Sequence, residues 1–171
     1  LFRSELCGAE LIERCRDSRF AGEIEYRFRH ALMRDAAYAL LGDEERALCH
    51  RGAGQYLEAV GEDDPLLLAE HFQRGAELRR AGRYLADAAV RSQWSGNPAE
   101  AIERAERALR CEVTEPVRVA LLAMITEELG WQGAFRPAAE RAAALLSLTP
   151  PGSRAWCKAI APINAAAVLG G

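Results

Sequence analysis

Lysine is almost absent from this chain of 171 residues. Lys158 is the only one, and arginine carries the rest of the positive charge. This excludes a phosphate-binding loop of the G-x-x-x-x-G-K-[ST] kind within the chain, because the lysine that reaches the phosphates is missing. Cysteine is sparse and irregular. Cys7, Cys15, Cys49, Cys111 and Cys157 are an odd, scattered set with no C-x-x-C pair. That argues against a disulfide framework or a thiolate zinc site and fits a reducing, cytoplasmic setting. No apolar run reaches membrane-spanning length, and no signal-peptide pattern opens the chain. A basic excess is missing too: the net charge is −3 and the pI about 5.7. A dedicated nucleic-acid surface is therefore not expected. The three histidines, His30, His50 and His71, show no metal-ligand spacing in sequence. His50 and His71 are expected to serve as packing or half-buried polar groups. Aromatic residues make up only 7%.

What is present is alanine, the commonest residue, in a chain that is 50% hydrophobic. Alanine has the highest helix propensity, and its small side chain lets helices approach closely. The fold class expected is all-α. A first helix is expected over 4–17, a loop over 17–22 and a short strand over 23–29. The stretch Tyr26 to Leu41 changes period. Tyr26, Phe28 and His30 alternate with Arg27 and Arg29, and from Leu32 onward the apolar residues fall at helical spacing. A helix is expected from His30 to Leu41, ended by Gly42, with Asp43 capping the next one over 44–60. Asp64 before Pro65 starts another. Helices follow over 66–74 and 78–94. Asn97-Pro98-Ala99-Glu100 predicts a side-chain cap with a capping box, and Thr114-Glu115-Pro116 opens the next helix. Pro162 predicts a kink or a late start in the last one. Acidic runs such as Asp43-Glu44-Glu45 and Glu62-Asp63-Asp64 suit helix starts and form no acid/base dyad.

The sequence repeats itself. Gly96 is followed by Ala101, Ala105 and Ala108, and Gly133 by Ala138, Ala142 and Leu145; the two glycines are 37 residues apart, and another such step reaches Gly170. This resembles the tetratricopeptide (TPR) repeat of paired antiparallel helices, whose unit is about 34 residues. The extra length falls in the linkers 112–115 and 149–153, and Pro150 matches the proline before a following unit. The resemblance implies a superhelical stack of helix pairs whose first helices line a peptide-binding groove. Trp94 and Trp131 hold equivalent positions near the ends of such first helices. They serve either as aromatic anchors in the groove or as packing between repeats. Arg83, Asp87, Gln93, Glu127 and Glu128 would present polar groups to the same groove.

A second resemblance covers about residues 5–110. Phe28-Arg29-His30-Ala31-Leu32, Arg34-Asp35-Ala36-Ala37-Tyr38, Arg46, Leu48, His50 and Leu68-Ala69-Glu70-His71-Phe72 are similar to the junction in bacterial STAND signalling ATPases. There a P-loop AAA-type module is followed by a winged helix and a TPR-like sensor array. The resemblance implies that residues 1–42 are the end of a winged helix with a junction helix, and 43–171 the array. It implies a non-catalytic segment that couples partner binding to an ATPase in the same parent chain and to a serine/threonine kinase, cyclase or transcription module. ATP or ADP and Mg would belong to the parent; no cofactor, membrane or nucleic acid is expected for this segment. In related ATPases a methionine-histidine-aspartate motif contacts the β-phosphate of ADP. His30, with Arg29, takes that place, although Arg29 and Ala31 depart from the motif. The other role open to His30 is a local hydrogen bond at the strand-to-helix corner. A start at Leu1 without methionine and an end after an alanine-rich run are those expected of a piece of a longer protein. A free-standing TPR scaffold without an ATPase is the alternative. An enzyme built on His30 and Asp35 is disfavoured, because five residues apart on a helix they face different ways.

Overall fold

Gly96 and Gly133, the equivalent glycines of the two repeats, both adopt positive φ, +71° and +73°. Each ends a 17-residue helix. The next residue, Asn97 or Ala134, donates its backbone N–H to the carbonyl five residues back, on Ser92 or Leu129, at 3.0 Å in both cases. This left-handed closure satisfies the last carbonyls of a helix and reverses the chain within three residues. Gly61 at +83° and Ala76 at +58° make the same closure, through Glu62 to Leu57 and Glu77 to Phe72. Glycine takes this conformation freely, whereas Ala76 takes it against its Cβ.

The computed structural model describes residues 2–169. Its elements are α1 (Phe2–Gly8), β1 (Ile12–Arg14), β2 (Tyr26–Phe28), α2 (Ala31–Ala39), α3 (Asp43–Ala59), α4 (Pro65–Arg74), α5 (Leu78–Trp94), α6 (Pro98–Leu109), α7 (Glu115–Trp131), α8 (Phe135–Leu148) and α9 (Arg154–Leu169). The fold is all-α apart from one antiparallel hairpin, in which Ile12, Glu13 and Arg14 face Phe28, Arg27 and Tyr26. From α3 onward each helix packs on the next, and α7 also packs on α9. The result is an array of helix pairs: α3/α4, α5/α6 and α7/α8, followed by α9.

The small residues of the repeat are the seams of this array. Ala101, Ala105, Ala108, Ala138, Ala142 and Leu145 are all fully buried (0% exposed). Larger side chains fill the spaces between: Phe72, Leu85 and Ile125 are also at 0%, and the Phe72 ring stacks on Tyr84 at 5.7 Å. Close approach has a second signature at the α4–α5 turn. A Cβ on Gly75 would lie 2.8 Å from the backbone nitrogen of Arg51, so only glycine lets α3 pass there.

Polar rungs join helices two apart. Along the first-helix row, Arg83 donates to Glu58 at 2.9 Å, Gln93 to Glu128 at 2.8 Å and Lys158 to Glu127 at 2.5 Å. Along the second-helix row, Arg107 donates to Gln73 at 2.9 Å and Arg141 to Glu106 at 2.8 Å. The rungs set the lateral spacing of equivalent helices, while apolar burial supplies the cohesion.

Several local expectations are corrected. The first helix stops at Gly8 instead of reaching residue 17. Glu10 turns at φ +57°, and Ile12–Arg14 then pairs with Tyr26–Phe28, a partner that local propensity does not register. Gly42, not Asp43, is the N-cap of α3, and its N–H donates to Glu45 Oε2 at 2.9 Å. Asn97 stands at the N-cap position of α6 without the predicted side-chain cap bond, and Glu100 pairs with Arg104 instead of closing a capping box; α7 does open at Glu115 behind Thr114. Asp64 does cap, accepting from Leu66 N at 2.9 Å. Helix α9 does not start late: it runs from Arg154 through Pro162, which lies buried inside it. Gly170 lies outside the described residues.

Candidate functional site

The row of first helices carries the groove candidates. On α5, Arg83, Asp87, Val90 and Trp94 recur at helical spacing and all are exposed. Trp94 is 86% exposed and Trp131, at the same point of α7, 83%. The packing role for the tryptophans is therefore corrected: they stand at the ends of their helices, beyond the reach of the neighbouring pair. Two hollows lie along this row. One, about 340 Å³, is formed by Arg79, Arg80, Arg83 and Asp87 of α5 with Val113 and Val117. The other, about 320 Å³, is formed by Gln93 of α5, Met124 and Glu127 of α7, and Lys158 of α9. Of the predicted groove residues, Arg83 and Asp87 line the first hollow and Gln93 and Glu127 the second, while Trp94, Trp131 and Glu128 line neither.

Most of the predicted polar groups are already engaged. Gln93, Glu127 and Glu128 are rungs. Arg83 bonds to Glu58 and, at 2.7 Å, to the Tyr84 hydroxyl. The Tyr84 hydroxyl also donates to Glu58 Oε1 at 2.5 Å. Burial, followed by the bond to Glu58, raises the Tyr84 pKa. The Tyr84 bond, and behind it Arg80 and Arg83, holds the Glu58 carboxyl below its ordinary 4.5. Arg80 lies over the Phe72 ring at 5.1 Å, with its buried Nη1 lacking a hydrogen-bond partner. What the row leaves open to solvent is the tryptophan pair, Val90 and Asp87.

At the hairpin border, Arg29 lies near two carboxylates, Glu10 at 3.4 Å and Glu13 at 4.0 Å. His30 is the N-cap residue of α2, in extended conformation, and its side chain makes no cap bond. Its carbonyl accepts from Met33 N and Arg34 N. The imidazole is exposed, so a local hydrogen bond of His30 at the strand-to-helix corner does not take the form of a side-chain cap. Asp35 is bound to Arg34 at 2.7 Å.

Two features escaped sequence reasoning. One is a hollow of about 580 Å³ between the hairpin and α3, among Phe20, Ile24, Tyr26 and Tyr56 with Glu23 and Glu25. Phe20 meets Tyr56 edge-on at 6.4 Å, and Arg19 reaches Glu62 at 3.5 Å. The second feature is a side-chain chain across α2, α3 and α4. The Tyr38 hydroxyl lies 3.0 Å from His50 Nε2, and His50 Nδ1 lies 3.2 Å from His71 Nδ1. Their separation of 21 residues carried no signal; only the α3–α4 pairing brings them together. Burial lowers the pKa of both imidazoles, and their mutual proximity adds to the effect at His50.

Among the described residues, no group of three or more His, Cys, Asp or Glu side chains is arranged to hold a metal ion. No helix there is long and apolar enough to cross a membrane. The Cys111 thiol is buried, and burial raises its pKa. Comparison of the chain with protein-family profiles, with curated proteins and with solved structures finds no match in any of the three.

Proposed function

We propose that this chain is a protein-interaction and sensor array of the tetratricopeptide kind, with no catalysis of its own, from a STAND-type signalling ATPase. The supporting observation is the placement of Trp94 and Trp131. Two large aromatic side chains, equivalent in the repeat, stand 86% and 83% exposed on one row of helices. Exposed aromatics are costly in water and enriched at the centres of binding interfaces. Two hollows on the same row of helices, lined by Met124 and Val117 together with charged groups, suit an extended peptide. Binding there would favour one spacing of the first helices, since the rungs Gln93–Glu128 and Glu127–Lys158 border the same hollow. A shift in that spacing is the signal passed to the border helix α2 and, through it, to an upstream ATPase.

Selection of binders from a displayed peptide library tests the groove. Peptides selected on the wild-type chain are expected to lose at least about tenfold in affinity for the Trp94→Ala/Trp131→Ala double variant. Equal affinity for both forms would discard this surface. The ATPase part is tested by the genomic sequence upstream of Leu1. A P-loop module within about 200–300 residues supports it; its absence leaves a free-standing scaffold.

A further inference from the structure

Helix α2 contributes no buried residue, and Leu32 and Leu40 are 82% and 86% exposed. Apolar packing on the array therefore does little to hold it. Tyr38 is its hook. The hydroxyl meets His50, and the Arg46 guanidinium of α3 lies over the ring at 5.2 Å while donating to the carbonyls of Tyr38 and Ala39. Behind the hook stands His71 of α4.

The protons of this chain are constrained. With both imidazoles neutral, one Nδ1–H lies between the two rings, and the Tyr38 hydroxyl either donates to His50 Nε2 or accepts from it. One added proton is tolerated. A cationic His50 donates from Nδ1 to His71 and from Nε2 to the Tyr38 oxygen, so no bond is lost. A second proton puts N–H against N–H at a separation of 3.2 Å, with two like charges. The bond between the rings then breaks, and the His50 ring that holds Tyr38 is pushed away.

We propose that Tyr38, His50 and His71 form a proton-operated latch that fastens α2 to the helical array near neutral pH and releases it on acidification, when both imidazoles are charged. The inference does not depend on the chain's being part of an ATPase. Charged groups of both signs face the pair, and burial outweighs them at both rings. From α4 they are Arg74, which disfavours cationic imidazole, and Glu70, which favours it; these two are bound to each other at 2.6 Å. From α3 comes Arg46, itself cationic and near Asp43 at 3.4 Å, and from α2 Tyr38. Because both folded-state pKa values lie below the ordinary 6.5, the latch is complete above that pH. It is lost as pH falls from there through the lower folded values.

Solution NMR of the 171-residue chain between about pH 7.5 and 5 tests the latch, above the range where ordinary carboxylates titrate. The readouts are the cross-peak between the Tyr38 and His50 rings and amide protection over Ala31–Ala39, corrected for the intrinsic pH dependence of exchange. Acidification is expected to erase the cross-peak and lower α2 protection about tenfold relative to α5, the order of one net hydrogen bond. In His71→Phe, which cannot take the second proton, both readouts should stay constant with pH. In Tyr38→Phe, α2 protection should fall below the wild type near neutral pH and no longer change with pH, because only the Arg46 bonds to the carbonyls of residues 38 and 39 remain. Tyr38 is exposed, so that variant keeps the array intact even if His71→Phe disturbs α3–α4 packing. Constant α2 protection in the wild type, or an unchanged pH response in Tyr38→Phe, overturns the proposal.

Discussion

Helices α2 and α5 are both rich in apolar side chains, yet they use them in opposite ways. Helix α5 buries Ala81, Gly82, Tyr84, Leu85, Ala88, Ala89 and Ser92 against its neighbours. Helix α2 buries none, although its stripe of Leu32, Ala36 and Leu40 is as regular. The difference lies in what flanks them. Helix α5 has α4 on one side and α6 on the other, each reached by a short turn closed through a left-handed residue. Helix α2 follows a two-stranded hairpin directly and is tied to α3 by polar groups around Tyr38. An amphipathic stripe defines a face that can be buried, and only a neighbour at the right distance buries it.

Substitutions can break or sharpen this contrast. The largest effect is expected from Phe72→Ala in the array. The ring is 0% exposed and stacked on Tyr84, so urea unfolding should show a loss of about 3–5 kcal/mol from transfer and cavity terms. An intermediate effect of opposite sign is expected at Ala76, the non-glycine residue at φ +58° among the array's left-handed turns. Ala76→Gly should raise stability by about 0.5–1 kcal/mol in the same assay, since the relief of the Cβ clash outweighs the added freedom of the unfolded chain. A loss of stability would mean that this turn is not strained. The smallest effect is expected at Leu40→Ser. The side chain is 86% exposed, so unfolding should shift by no more than about 0.5 kcal/mol. A loss near that of Phe72→Ala would show that α2 is packed in solution and erase the contrast.

Much of the array was legible in the residues. Helix 78–94 was predicted with the boundaries found, and the alanines following Gly96 and Gly133 proved to be the fully buried seams. These features are local: glycine sets the turn, and a helical period places small side chains on one face. Residues 9–17 were not legible as a strand, because Ile12–Arg14 is a strand only through its pairing with Tyr26–Phe28. The side-chain cap predicted at Asn97 failed for a related reason. Propensity ranks a residue at a cap position, while the side-chain bond depends on competition, as when Glu100 pairs with Arg104. At the candidate site, equivalent repeat positions identified Trp94 and Trp131, but their exposure had to be seen in the structure. The pairing of His50 with His71 had no sequence signal.

The sequence by itself determined the helical class, the positions of the turns and the repeat, because each follows from the conformational preference of a few consecutive residues. The tertiary structure alone decided which faces are covered, which polar groups serve as rungs and which three side chains meet between α2, α3 and α4. Those depend on distances between helices far apart in the chain, set by how closely alanine and glycine seams let them approach.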